Sequence, residues 1–372
     1  MTEIIIDGVI FETQRYGGVS RIYHEILPRI CYLDKSIHFD ILTTGRLEQS
    51  LPQHGCIQHY SLNYWEMLLR PGRFFQMARW HGRSRALSTW LQSNRLDLWH
   101  STYYTLPDCW QGPVVITVYD LIYERYPQQY NTNYGNALRS RMRKAIMRAD
   151  IVICISETTK KDVEEIYNIE SSKIVVAPLA VSSEFETLAK KVSIKIWQRP
   201  YLLYIGGRTG YKNFETVLTA YSRWPQRQQI DLYVVGPPWT SEEKQKIQAL
   251  KVTDKVHLET GVTDQKLIDI YIQAVAFVHP SLYEGFGLPL LEALSCGCPV
   301  VASNIPTSIE IVGKKAAYYF DPQDVNQLID ALDMAVKNGR SAAFLSQAHE
   351  VVANYSWQKT AKQTLEVYYA LA

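Results

Sequence analysis

The feature that most constrains this chain is a repeated alternation, in which short runs rich in β-branched residues each precede a longer amphipathic stretch. The runs begin with Glu3 to Ile6, followed by a helical pattern from about Ser20, and continue through His38 to Thr43, Leu96 to His100, Val114 to Val118 and Ile151 to Ile155. Strand followed by helix, repeated, builds a parallel sheet with helices on its faces. A second series starts at Tyr201 to Ile205 and runs through Ile230 to Val235, Val256 to Leu258, Ala276 to His279, Pro299 to Ala302 and Ala317 to Phe320. Between the two series, Val181 to Pro200 is polar, contains lysines and lacks a strong apolar period, as an inter-domain linker does. At 372 residues the chain also exceeds the usual size of a single hydrophobic core. The pattern predicts an α/β protein of two doubly wound domains, 1–185 and 198–355, facing each other across a cleft. The closing stretch 356–372 carries Trp357, Leu365, Tyr368, Tyr369 and Leu371 at helical spacing and is expected to cross back to the first domain.

An apolar fraction of 47% with 20% charged residues is ordinary soluble composition and excludes both disorder and a membrane-embedded chain. No run reaches the roughly 18 apolar residues of a membrane span. Met1-Thr2-Glu3 leads directly into Ile4-Ile5-Ile6 without a basic region or cleavage site, so a cytoplasmic location is expected. A formal charge of +2 is too small to imply nucleic-acid binding. The six cysteines lack the density of a disulfide scaffold and the paired spacing of a metal site, and Cys296 and Cys298 around Gly297 read as packing residues at a helix end. From Trp65 to Arg85, five arginines stand against Glu66 alone, interleaved with Phe74, Phe75 and Trp80. That mixture suits the surface of an anionic membrane, and equally a helical pair with aromatics inward and arginines solvated. Arg139, Arg141, Arg143, Lys144 and Arg148 allow the same two readings, attraction of a lipid phosphate or a solvated helix face.

The most informative stretch runs from His279 to Glu292. After a strand ending near His279, Gly285 and Gly287 permit a tight loop, and Pro289 falls where the first turn of a helix tolerates a missing N–H. The start of that helix offers free backbone N–H groups and the positive end of its dipole to an anion or a hydroxyl-rich ligand. Glu284 and Glu292 flank the opening. Carboxylates beside an anion site repel it unless they accept hydrogen bonds from hydroxyl groups, as a sugar supplies. A second motif, Gly206-Gly207-Arg208 followed by Lys212-Asn213, joins the first strand of the second domain to its helix. Arg208 offers a planar fork and Lys212 a mobile point charge, suited to a diphosphate whose charge grows as a bond to it breaks. Lys212 lacks the flanking Gly and Ser/Thr of a P-loop.

Glu284 and Glu292, seven residues apart within Glu-Gly-Phe-Gly-Leu-Pro-Leu-Leu-Glu, resemble the donor-site motif of retaining glycosyltransferases of family GT4. The resemblance extends over essentially the whole chain and is tightest from Leu202 to Asp321. It implies the GT-B fold, two Rossmann-like domains facing across a cleft, with a nucleotide-diphosphate sugar held mainly by the second. It further implies that Glu284 contacts the transferred sugar, that Glu292 contacts the donor ribose, and that Gly285, Phe286, Gly287 and Leu288 give backbone contacts. Arg208 and Lys212 would stabilise the leaving diphosphate, with Gly206, Gly207 and Asn213 beside them. Gly261 and Val262, within Glu259-Thr-Gly-Val-Thr-Asp264, are expected to bring backbone near the nucleobase.

In the first domain, Tyr16-Gly17-Gly18-Val19 resembles the family's Gly-Gly loop, so Gly17 and Gly18 are expected in the cleft. Tyr119-Asp120 stands where many relatives have His-Asp, and Tyr119 retains a hydroxyl for the sugar while Asp120 orients the loop. No Asp-x-Asp metal motif is evident, so neither a metal nor another cofactor is expected. The resemblance implies front-face substitution, in which the departing phosphate assists deprotonation of the acceptor. The expected donor is a UDP-hexose, UDP-glucose before GDP-mannose, and the expected acceptor is a glycan or lipid-linked glycan of cell-envelope or exopolysaccharide synthesis at the inner membrane surface. A nucleotide-sugar epimerase of the same fold and a sugar-nucleotide-binding protein without catalysis are the alternatives.

Overall fold

The computed structural model describes residues 2–14, 18–43, 45–62, 87–182, 185 and 197–372. Gly17, the Trp65 to Arg85 run and most of the linker between the two strand series lie outside the described residues. The chain divides into two compact units, residues 1–179 with 357–372, and residues 180–356.

The first unit is built on β1 (Thr2–Asp7), β2 (Ile37–Thr43), β3 (Ile57–Ser61), β4 (Leu98–Ser101), β5 (Val114–Val118), β6 (Ile151–Cys154) and β7 (Ile174–Val176). All pairings are parallel, in the order β3-β2-β1-β4-β5-β6-β7. The central strands β4 and β5 are buried at every position, because helices cover both faces and leave no side for polar residues. The edge strand β3 is half polar, since it has one neighbour and an exposed flank. For that reason its sequence carries no strand signal, and β3 and the three-residue β7 are strands that the hydrophobic pattern does not predict.

Helix Asn133–Arg148 starts on the Thr132 hydroxyl, which accepts from the Gly135 N–H at 3.0 Å, and buries Leu138, Met142, Ala145 and Ile146. Two of its basic residues find partners off the helix, Lys144 on Asp108 at 2.7 Å and Arg148 on Asp150 at 3.3 Å, while Arg139 donates to Asn136 one turn before it.

Helix Trp357–Leu371 belongs to the first unit, where the Tyr368 hydroxyl is 2.7 Å from Nδ1 of His100, whose Nε2 is 2.8 Å from the Thr117 hydroxyl. Burial pushes the His100 pKa down to about 3, so the imidazole is neutral. An unfolded histidine titrates near pH 6.5, so over the window from about 6.5 down to 3 the unfolded chain holds a proton that the folded chain lacks. Stability from this contact is complete above the unfolded value and is lost as the pH falls. Chemical denaturation is expected to show about 2 kcal/mol less stability at about pH 5 than at neutral pH from this group alone. An acid-induced loss of the same size in His100→Gln would contradict that assignment.

The second unit carries β8 (Tyr201–Ile205), β9 (Asp231–Val235), β10 (Val256–Glu259), β11 (Ala276–His279), β12 (Val300–Ser303) and β13 (Tyr318–Phe320). Its sheet is again parallel, in the order β10-β9-β8-β11-β12-β13. Trp224, Tyr204, Phe214 and Tyr221 fill its core, and the Trp224 indole keeps its hydrogen bond by donating to Asp333 at 2.8 Å.

Candidate donor site

In the second sheet the strand order reverses between β8 and β11, which lie side by side with Leu203 opposite Phe277. Connections leave adjacent strands in opposite directions at such a point and open a crevice beyond their carboxyl ends. The loops that leave β8 and β11 are the two that carry the motifs. They are stitched together: the Leu282 N–H donates to the Tyr211 carbonyl at 2.7 Å. Asn213 takes the left-handed φ of 53°, which asparagine tolerates, and its amide donates to the carbonyls of Pro280 at 3.0 Å and Pro322 at 2.8 Å. Its side-chain oxygen accepts from Thr216. Asn213 therefore ties loops together, whereas its motif alone places it beside the ligand.

Lys212 and Glu284 meet across these loops, Nζ to Oε1 at 2.7 Å. The same carboxylate oxygen accepts from the Ser281 hydroxyl at 2.6 Å and lies 3.4 Å from His279 Nε2. Burial acts to raise the Glu284 pKa, but the Lys212 charge and the His279 contact outweigh it and hold the carboxyl far below the usual carboxylate range. The Glu284 carbonyl accepts from Thr307 Oγ1 at 2.6 Å, which fixes the turn from the helix that follows β12.

Arg208 occupies a second cluster. Its side chain is 2% exposed, and its fork pairs with both oxygens of Glu243, at 2.7 and 3.0 Å. It also donates to the Pro238 carbonyl at 3.0 Å and stacks over the Trp239 ring at 4.3 Å. Glu243 is the third residue of helix Ser241–Ala249 and closes a capping box with Thr240, so one carboxylate finishes a helix and positions the arginine. The Arg208 hydrogen bond holds the Glu243 pKa low. Among the described residues, Nη1 of Arg208 is buried with no protein partner, as is Nδ1 of His279. A buried guanidinium N–H without an acceptor is costly, and an anion entering the site would satisfy it. Tyr204 links the clusters, since its buried hydroxyl bonds the Gly207 carbonyl and feels the charges of both Glu284 and Arg208.

The glycines keep the site open. Side chains added at Gly206, Gly207 or Gly261 would meet none of the described residues within 4 Å, and φ at Gly206 and Gly261 is +121° and +65°. Gly287, with φ +93°, caps helix Leu288–Ser295 and places Pro289 in its first turn. Phe286 is buried edge-on against Tyr355, so its ring anchors the loop. Leu288 and Val262 are half-buried. Glu292, one turn into the helix, is buried and accepts from the Tyr271 hydroxyl at 3.2 Å.

In the first unit, Gly18 opens helix Gly18–Leu33 and is exposed. Tyr119 is spent internally: its hydroxyl is 2.7 Å from that of Tyr23 and donates to the Thr102 carbonyl at 2.9 Å. Asp120 accepts from the Ile122 N–H at 3.0 Å and orients the short helix that begins there. At the reversal point of this sheet, buried Asp7 at the end of β1 accepts from Ser101 Oγ at 2.6 Å and from the Thr102 N–H at 2.8 Å. Sequence reasoning misses Asp7, Gly236, Trp239, Glu243, His279 and Thr307 as site-shaping residues. Of these only Glu243 has a local signal, the Thr-x-x-Glu of its capping box.

Two doubly wound parallel sheets, the second with a cation-bearing glycine turn beside an acidic glycine turn at its reversal point, define the GT-B class. Residues 16–185 match Glycosyltransferase Family 4 and residues 186–351 match Glycosyl transferases group 1, and the protein belongs to this family of glycosyltransferases. It is 28% identical over 286 residues to O-antigen chain mannosyltransferase B of Escherichia coli, covering 73% of this chain and 74% of that one. With O-antigen chain mannosyltransferase RfbU of Salmonella typhimurium it shares 26% over 257 residues, 69% of this chain and 68% of the relative. Among solved structures, sucrose-phosphate synthase from Thermosynechococcus elongatus superposes with a TM-score of 0.74 at 18% identity, over 100% of this chain and 99% of that one.

Proposed function

We propose that this protein is a retaining, metal-independent hexosyltransferase that moves mannose from GDP-mannose onto a glycan or lipid-linked glycan in cell-envelope polysaccharide synthesis. The mannosyltransferase names of the two relatives support mannose over the glucose expected from the sequence. The observation that carries the reading is the Lys212 to Glu284 pair at 2.7 Å on the two loops of the reversal point. It sets a cation for the diphosphate beside a carboxylate for the sugar hydroxyls.

In this reading the bond from the sugar C1 to the diphosphate oxygen breaks and its electron pair goes to that oxygen. The acceptor hydroxyl forms the new bond to C1 on the same face, and its proton passes to the departing phosphate. Lys212 and Nη1 of Arg208 stabilise the growing charge, with the open backbone at Gly206 and Gly207 and the helix start from Gly285 to Leu288. Glu284 holds the sugar, Glu292 the ribose, and Gly261 and Val262 approach the base. Among the described residues no helix is long and apolar enough to cross a membrane. The Trp65 to Arg85 run and exposed Arg141 and Arg143 support peripheral contact with an anionic membrane surface.

A thermal-shift screen against UDP-, GDP-, ADP- and TDP-sugars tests the donor, because a ligand of the folded state raises its melting temperature. GDP-mannose is expected to give the largest rise, and a larger rise with UDP-glucose would reassign both base and sugar. Gly236 offers a test of the arginine cluster. A Cβ there would lie 2.5 Å from the Gly206 carbonyl oxygen and 2.9 Å from Arg208 Nη1. Gly236→Ala is expected to displace the turn and weaken donor binding by about tenfold or more, measured by donor titration; unchanged affinity would remove this turn from the site.

A further inference from the structure

The cysteine and histidine residues of the first unit hold a feature that sugar transfer does not use. Cys31 on helix Gly18–Leu33 and His54 and Cys56 on the loop entering β3 bring two thiols and an imidazole together, their ligand atoms all within 4.8 Å of one another. Cys31 is buried and the other two are half-buried, so the cluster has an inner wall and an open side. We propose that Cys31, His54 and Cys56 form a three-ligand site for a thiophilic divalent cation, zinc by preference, which ties the end of helix Gly18–Leu33 to the edge strand β3.

The donor set is the one zinc selects, two thiolates and an imidazole, with a fourth position left for water. Zinc–sulfur bonds of about 2.3 Å and zinc–nitrogen bonds of about 2.0 Å in tetrahedral array separate ligand atoms by roughly 3.5 to 4 Å. The ligands are already held: the Cys56 N–H lies 3.2 Å from His54 Nδ1, and the Tyr32 ring packs edge-on to the imidazole at 4.7 Å. The Cys56 carbonyl accepts from the Phe39 N–H at 2.8 Å, which fixes the loop against β2. A side chain added at Gly55, between the two loop ligands, would meet none of the described residues within 4 Å, so this flank leaves room for the fourth ligand. Binding is balanced by release of a proton from each thiol. Such a clamp answers a need of the fold, since β3 is an edge strand with one sheet neighbour.

The test uses the full-length protein, reduced and stripped of metal. Zinc titration in competition with a chromophoric chelator is expected to give one tight site per chain, and cobalt is expected to give a tetrahedral spectrum with thiolate-to-metal charge transfer. Cys56→Ser and His54→Ala should each weaken binding by about tenfold or more. Cys109→Ser, which removes an exposed thiol elsewhere, should not. Zinc should also raise the melting temperature of the wild type and leave that of Cys56→Ser unchanged. Should Cys31→Ser fail to fold, the two loop variants decide. The proposal is overturned by a cobalt spectrum without thiolate charge transfer, by equal affinity in the loop variants, or by a Cys31–Cys56 disulfide that persists in the protein purified under reducing conditions.

Discussion

Glu284→Gln is expected to lower kcat/KM for sugar transfer by about 10²- to 10³-fold, the equivalent of roughly 3 to 4 kcal/mol. The carboxylate is half-buried, charged, and bonded to Lys212, Ser281 and His279. Glutamine keeps its shape but removes the charge that sets Lys212 in place and the strong acceptor for a sugar hydroxyl. Hydrogen bonds to a charged group contribute about 1.5 to 3 kcal/mol each, and two are forfeited. The variant should also be less stable, with a defined sign. Because the folded pKa is depressed, the stabilisation from Glu284 is complete above its unfolded value near 4.5 and disappears as the pH falls through the folded one. Denaturation of wild type and variant at neutral pH should therefore differ and the difference should shrink in acid. Turnover within a few-fold of wild type would remove Glu284 from the site.

Arg208→Ala and Lys212→Ala are each expected to cost about 10²- to 10³-fold in kcat while weakening binding of the free nucleoside by only a few-fold. The asymmetry follows from where charge grows: the departing diphosphate gains charge in the transition state, and the nucleoside carries none. Arg208→Ala has a second consequence, since it leaves Glu243 without its cation and the Trp239 ring without its stacked guanidinium. Some loss of stability should accompany both changes, since Lys212→Ala likewise leaves Glu284, 13% exposed, without its cation. Single-turnover kinetics alongside nucleoside titration separate the two effects. Equal losses in both measurements would mean that these cations bind the ground state and do not drive transfer.

Much of this molecule is legible in one dimension because parallel sheets write themselves into sequence. A strand covered on both faces has no place for polar residues, so Val114 to Val118 and Leu202 to Tyr204 stand out as apolar runs. β3 and β7 escape because an edge strand is half solvated and can be short. Asn213 and Tyr119 show the limit for sites. Each is polar and lies within a motif, yet each spends its hydrogen bonds inside its own unit. Sequence spacing reports that a residue stands in a loop, and it does not report which neighbour claims its side chain.

The sequence by itself determined the two α/β layers and singled out Glu284, Glu292, Arg208 and Lys212 as candidates for the proposed site, since glycine turns, helix starts and charge are local properties. The tertiary structure alone decided their partners. Strand order brought the β8 and β11 loops together, so that Lys212 met Glu284 and Arg208 was handed to Glu243. It likewise gathered Cys31 with His54 and Cys56 from positions whose spacing carries no signal. Crossovers of a doubly wound sheet place distant segments side by side, and that adjacency is a property of topology that no run of neighbouring residues encodes.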